Sequence, residues 1–369
     1  MREPLVVVLA LALAGVAVFF VVGCGGSEDS DSKSTTAPAR DGSAQAAARR
    51  FLDTYVTEDG RVQRIDQGGD TVGEGQAYGM LLAAAVDDQE RFDAIWDWTK
   101  ENIRRPDGLI SFLWADGRVQ DPEAASDADV DAARALLAAS CRFDRPALRD
   151  EALELGKAIL ANETASFQGS PVLVGGPWAR KNPITVNPSY FSPATFAALG
   201  TASGDGRWGS LSASSRSVSE ILMTPESPLP PDWVNVQGGE LVPIGSPAQP
   251  DGTPRYGFDA ARTLVRLAED PDPAGRRIAA TAWPAFEGRK PADIPIEHDL
   301  SGEAAGGTQH PLALVAAAAA AEAAGQDGAK RRLLNAAEAL DRRTPTYYGA
   351  AWVALGRVML DTTALDSCP

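Results

Sequence analysis

Histidine is almost missing from this chain of 369 residues: His298 and His310 are the only two. Neither sits at metal-ligand spacing from another ligand type, and two histidines alone cannot build a His-based zinc site, so no metal and no cofactor are expected. Cysteine is nearly as scarce, with Cys24, Cys141 and Cys368. Positive charge is in deficit, with 34 Lys and Arg against 50 Asp and Glu for a formal net charge of −16. Residues 1–44 hold three basic and five acidic side chains, which leaves −14 on the remainder. That balance argues against a nucleic acid or an anionic polymer as partner and suits a neutral or cationic substrate. Also missing beyond residue 45 are an interior linker and sustained strand-type alternation. The rest is read as a single helical domain, whose 44% hydrophobic content is normal for a globular protein with a large core.

The one long apolar run, Leu5 to Val22, follows Arg2 and ends in Val21-Val22-Gly23-Cys24-Gly25-Gly26. It resembles a bacterial lipoprotein signal: residues 1–23 are removed and Cys24 becomes the lipidated first residue. The competing reading is an uncleaved single-pass anchor, since 18 apolar residues suffice to span a bilayer. Either way the remainder is extracytoplasmic and tethered to the bacterial membrane. Residues 24–45, mostly Ser, Asp, Thr, Gly and Ala, form a flexible tether, and residues 46–369 form the folded unit, expected to be monomeric. An oxidising location permits a bridge between Cys141 and Cys368, and two unpaired thiols are the equal alternative.

Twelve helical patterns follow, at Ala46–Tyr55, Gln76–Ala85, Gln89–Asn102, Asp129–Cys141, Pro146–Asn162, Ser192–Ser203, Trp208–Leu222, Tyr256–Leu267, Pro273–Ala285, Pro311–Ala324, Ala329–Arg342 and Tyr347–Leu360. The count suggests six helical hairpins. Ala316 to Ala324, uncharged until Glu322, reads as an inner helix packed on both sides. Long loops rich in Gly, Pro and Trp, at 104–126, 164–191 and 223–255, are where binding residues are expected.

Three acidic segments stand out. Gly73-Glu74-Gly75-Gln76-Ala77-Tyr78-Gly79-Met80 puts a carboxylate between two glycines at a helix start, where backbone has room to approach a ligand; complementing the helix dipole is the plain alternative. Ala125-Ser126-Asp127-Ala128-Asp129-Val130-Asp131 fails as a calcium loop, with Ala132 and Ala138 where Gly and Glu are needed. Its plain reading is a helix start with Ser126 or Asp127 as N-cap. In Tyr256-Gly257-Phe258-Asp259-Ala260-Ala261-Arg262, Asp259 and Arg262 share a helix face as an ion pair or as an oriented carboxylate.

Together these segments resemble glycoside hydrolase family 8, the bacterial endoglucanases that also include chitosanases, lichenases and xylanases. Glu74 lies in the family's Glu-Gly-Gln-x-Tyr-Gly-Met element, and Ala125 to Asp129, with Phe143 closing the stretch, looks like its signature. Asn187-Pro188-Ser189-Tyr190-Phe191-Ser192-Pro193 and Pro231-Asp232-Trp233-Val234 are further family-like elements. The resemblance implies an (α/α)6 barrel and hydrolysis of β-1,4-linked glycans with inversion. It makes Glu74 the general acid, Asp259 the general base, Asp127 the residue that holds the distorted sugar, and Arg262 the group that steadies the base. Tyr190 is expected beside the catalytic water, and Trp114, Trp178 and Tyr190 are expected as sugar-stacking platforms. Asp129 and Asp131 are left as helix-start residues. Gly73 stands where the family often has Ser, and Phe258 where Tyr often precedes the base. The leading function is a tethered endo-β-1,4-glucanase acting on cellulose or a related β-glucan. A chitosanase or xylanase on the same frame, and a glycan-binding lipoprotein without catalysis, are the alternatives.

Overall fold

The computed structural model describes residues 40–366. The leader, Cys24, the tether up to residue 39 and Cys368 lie outside the described residues. The described part carries twelve α-helices: α1 Arg40–Tyr55, α2 Gly73–Ala85, α3 Gln89–Asn102, α4 Ser126–Arg142, α5 Pro146–Asn162, α6 Pro193–Ser203, α7 Arg207–Leu222, α8 Ala260–Ala268, α9 Pro273–Ala280, α10 Pro311–Ala323, α11 Asp327–Arg343 and α12 Tyr347–Asp361. Each lies where the apolar pattern places one.

Their arrangement follows from two kinds of helix. Helices α2, α10 and α12 are apolar nearly all round and buried along almost their whole length, and α4 and α8 are buried too although they carry paired Asp and Arg. A helix with no polar stripe has to be enclosed. Each inner helix packs against the next, and α12 closes onto α2, so six inner helices form a ring. The odd-numbered helices lie outside it, burying one stripe each. This is an (α/α)6 barrel. One outer helix returns the chain between successive inner ones, so the inner helices run the same way and their N-termini share one mouth.

Five helix ends differ by three residues or more from the sequence expectation: α1 starts at Arg40, inside the stretch read as tether, α2 at Gly73 and α4 at Ser126, each earlier than expected, and two others differ for local reasons. Expected from Tyr256, α8 starts at Ala260, because Tyr256 is drawn into a bridge with His298 and the next residues form a turn. Expected to reach Ala285, α9 stops at Ala280, and Pro284, which has no N–H to continue a helix, shapes a short 3-10 turn over Trp283–Ala285.

The larger difference is in the loops, which hold small antiparallel sheets. Strands β1 Thr71–Val72, β2 Leu113–Ala115 and β3 Arg118–Asp121 form one sheet; β4 Thr164–Phe167 and β5 Ser170–Leu173 a hairpin; β6 Ile184–Val186, β7 Trp233–Gln237 and β8 Glu240–Ile244 a third sheet. At two to five residues each they are too short to show alternation in sequence. They matter because they gather at the mouth: β1 runs straight into α2 at Glu74, β3 leads to α4, and β7 carries Trp233.

Candidate active site

Glu74 lies in the first turn of α2 and Asp127 in the first turn of α4, while Asp259 immediately precedes α8. One residue joins all three. Arg262 is 2% exposed, and its Nη1 donates to Glu74 Oε2 at 2.8 Å, to Asp127 Oδ2 at 2.8 Å and to the Tyr78 hydroxyl at 3.2 Å. Its Nη2 donates to Asp259 Oδ1 at 2.6 Å. The other Asp259 oxygen, Oδ2, accepts the Trp233 indole N–H at 3.0 Å. The Tyr190 ring covers the guanidinium, with its centroid 5.3 Å from Cζ. Arg262 therefore holds three carboxyl groups with one positive charge.

That ratio sets the electrostatics. Burial raises the Glu74 pKa to about 8, helped by the Asp127 and Asp259 carboxylates and opposed by Arg262. Glu74 therefore keeps its proton at neutral pH, which is the state a proton donor needs. Burial also raises Asp259, but Arg262, the Trp233 indole and the Asn187 amide favour its charged form. Burial thus raises both carboxyls, but at Asp259 more groups oppose the rise than at Glu74, where Arg262 alone does so. The acids are open where Arg262 is sealed, with side-chain exposures of 20% for Glu74 and 32% for Asp259.

The glycines beside Glu74 serve packing rather than ligand approach. A Cβ on Gly73 would lie 2.9 Å from the Ser111 carbonyl oxygen, and one on Gly75 would lie 2.6 Å from the Tyr347 hydroxyl. The Ser often found at position 73 has no room here.

Of the expected platforms, Trp178 is 40% exposed and begins an aromatic row: its ring is 6.1 Å from Trp233, and Trp233 is 5.8 Å edge-on from Tyr190. Tyr190 is buried at the inner end of this row, against Arg262. Trp114 is half-buried, with the Arg61 guanidinium 4.9 Å above its ring and Trp98 against its edge, so one of its faces is already covered.

Asp129 and Asp131 are not solvated helix-start groups. Asp129 accepts the Ile110 N–H at 3.0 Å and is coupled to buried Glu163, with both carboxyls pushed well up by burial. Asp131 accepts from Arg266 at 2.5 Å inside the barrel. Nor is Ser126 or Asp127 the N-cap: that position is Ala125, and the Ser126 hydroxyl donates instead to the Val174 carbonyl.

The sequence profile of glycosyl hydrolases family 8 matches residues 30–356. The chain belongs to that family. It shares 30% identity over 234 residues with a probable endoglucanase of Novacetimonas hansenii, covering 61% of this chain and 66% of that protein. With an endoglucanase of Escherichia coli O157:H7 it shares 31% over 246 residues, covering 63% and 65%. Both alignments span less than two thirds of the relative's length. Among solved structures, an endo-β-1,4-glucanase, CMCax, from Acetobacter xylinum is similar with a TM-score of 0.74 and 26% identity, covering 87% of this chain and 98% of that one.

In this family 8 member the site also uses residues that sequence reasoning did not name as such: Trp233, Asp232, Asn187, Tyr78 and Tyr348. Trp233, Asp232 and Asn187 lay in stretches already noticed as family-like, but nothing in those stretches showed that they meet Asp259. Tyr348, at the start of α12, donates its hydroxyl to the Phe258 carbonyl at 3.5 Å, and Phe258 packs edge-on to His310. Cys141 is disulfide-bonded.

Proposed function

We propose that this protein is an inverting endo-β-1,4-glucanase that hydrolyses cellulose or a related β-glucan, with Glu74 as general acid and Asp259 as general base. The observation that carries the reading is the single guanidinium of Arg262 holding both Asp259 and Glu74, whose proton burial retains, at the open mouth of the barrel. The endoglucanase names of the relatives support the substrate class.

The chemistry follows from the positions. Glu74 gives its proton to the glycosidic oxygen as the bond from that oxygen to the anomeric carbon breaks. Asp259 takes a proton from water as the water oxygen bonds to the anomeric carbon from the opposite face. Asp127 hydrogen-bonds the sugar at the cleavage point, and Arg262 holds Asp259 in place. Trp178 and Trp233, at the outer part of the aromatic row, offer apolar faces to pyranose rings, while Tyr190 backs Arg262.

The enzyme works outside the cytoplasm as a monomer, held to the membrane through lipid on Cys24. The leader composition and the disulfide-bonded state of Cys141, which suits an oxidising compartment, support this placement. The test is purified protein on carboxymethylcellulose, lichenan, chitosan and xylan, with proton NMR of the first product. Cleavage of the β-glucans with release of the α-anomer is expected. A β-anomer as first product, or action on chitosan or xylan alone, contradicts the reading.

A further inference from the structure

Asp232 is 5% exposed and touches no expected substrate position, yet its contacts converge on Asp259. Its Oδ1 accepts the backbone N–H of Gly257 at 3.0 Å and that of Ala260 at 2.8 Å, the residues two before and one after Asp259. Its neighbour Trp233 donates its indole N–H to Asp259 Oδ2 at 3.0 Å. The backbone of the turn and the carboxylate on it are thus gripped by two consecutive side chains of the loop entering β7. Gly257 is fitted to this grip, since a Cβ there would lie 2.6 Å from Asp232 Oδ2. Without Asp232, two buried N–H groups flanking Asp259 lose their acceptor, an arrangement that backbone avoids.

We propose that Asp232 is a positioning residue for the general base: it fixes the turn Gly257 to Ala260 so that Asp259 meets Arg262 and Trp233 at once and faces the attacking water. This rests on Asp259 being the base. Asp232 has no contact with Glu74, which reaches Arg262 through Nη1, whereas Asp259 is held by Nη2. Asp232 itself is kept from ionising easily, its pKa raised to about 7 by burial and by the Asp259 charge, with the two N–H bonds and Arg255 opposing.

The test compares Asp232→Ala, Asp232→Asn and Gly257→Ala. Asp232→Ala is expected to lower kcat about 100-fold, the scale of an ångström-sized misplacement, with KM changed by less than about threefold. The loss should be the same on an aryl cellobioside with a good leaving group, because an easy leaving group relieves the acid and not the base. Asp232→Asn keeps the Oδ1 acceptor and should stay within about tenfold of wild type. Gly257→Ala pushes Asp232 aside and should reproduce the Asp232→Ala loss in kcat. Crystal structures of the variants should show Asp259 moved off Trp233 and Arg262 in an otherwise unchanged barrel. Asp232→Ala with wild-type kcat, a loss confined to KM, a loss abolished by the better leaving group, or an unmoved Asp259 overturns the proposal. A wild-type protein inactive on every β-1,4-glucan would refute the glucanase reading, whereas the crystal structures decide the positioning without reference to substrate.

Discussion

Asp127 and Arg262 at the mouth of the barrel stand one helical turn from Asp131 and Arg266 in its interior, so the same two residue types meet twice across α4 and α8. At the inner rung the charges balance. Asp131 and Glu269 face Arg266 and Arg134, and every member has a side-chain exposure of 6% or less. At the outer rung three carboxylates share one guanidinium, and two of them reach solvent. An ion pair by itself therefore says little about role. What separates a structural rung from a reacting one is the surplus of carboxyls and the opening beside them, while burial, helped by that surplus, keeps the proton on Glu74.

The comparison breaks first at the outer rung. Glu74→Gln and Asp259→Asn should each lower kcat by about 100- to 10,000-fold, the usual contribution of a positioned acid or base. Thermal unfolding should show neither variant less stable than wild type. An active variant of either kind would place the chemistry elsewhere.

The inner rung should respond in the opposite way. Asp131→Ala strands Arg266 inside the barrel and should cost about 3–5 kcal/mol in denaturant unfolding. Protein that remains folded should keep a kcat close to wild type. A large loss of kcat without loss of stability would erase the distinction between the rungs.

A third test concerns stability against pH. Glu74 has a folded-state pKa near 8 against an ordinary value of 4.5, so the folded state holds a proton that the unfolded chain has released. Its contribution to stability therefore falls as pH rises from about 4.5 to 8. Glu74→Gln should be more stable than wild type at pH 9 by on the order of 2–4 kcal/mol, and similar to it at pH 4. Equal stability at both pH values would mean that the proton is not held.

The smallest expected effect sharpens the cause. Asp127 raises Glu74 by its charge and its hydrogen bond, so Asp127→Asn should move the alkaline limb of the kcat/KM profile down by about one pH unit. An unmoved limb would assign the shift to burial and the Asp259 charge without Asp127.

Much of this could be read from sequence, and the reasons are physical. Inner helices such as α10 are uninterrupted apolar runs, and a run of alanines such as Ala316 to Ala321 announces enclosure. Glu74, Asp127 and Asp259 stood out as acids at helix starts, but their roles came only from the resemblance of their segments to family 8, since position alone fits a helix cap or an ion pair equally well. The grip of Asp232 and Trp233 on Asp259 was not legible. It joins a short strand to a turn 26 residues away through hydrogen bonds that leave no periodic trace. Asp129 does lie in the first turn of α4, but the burial of Asp129 beside Glu163 and of Asp131 beside Arg266 was not legible, because only tertiary packing brings those partners in. The glycines around Glu74 were read for the space they leave, when Ser111 and Tyr347 fill it.

The most direct measurement is a carbon-13 NMR titration of the protein with labelled glutamate carboxyls, with the Glu74 signal assigned by its loss in Glu74→Gln. The account expects that carboxyl to titrate near pH 8. A Glu74 signal that titrates near the ordinary 4.5 would mean that the residue is already charged at neutral pH and cannot be the proton donor.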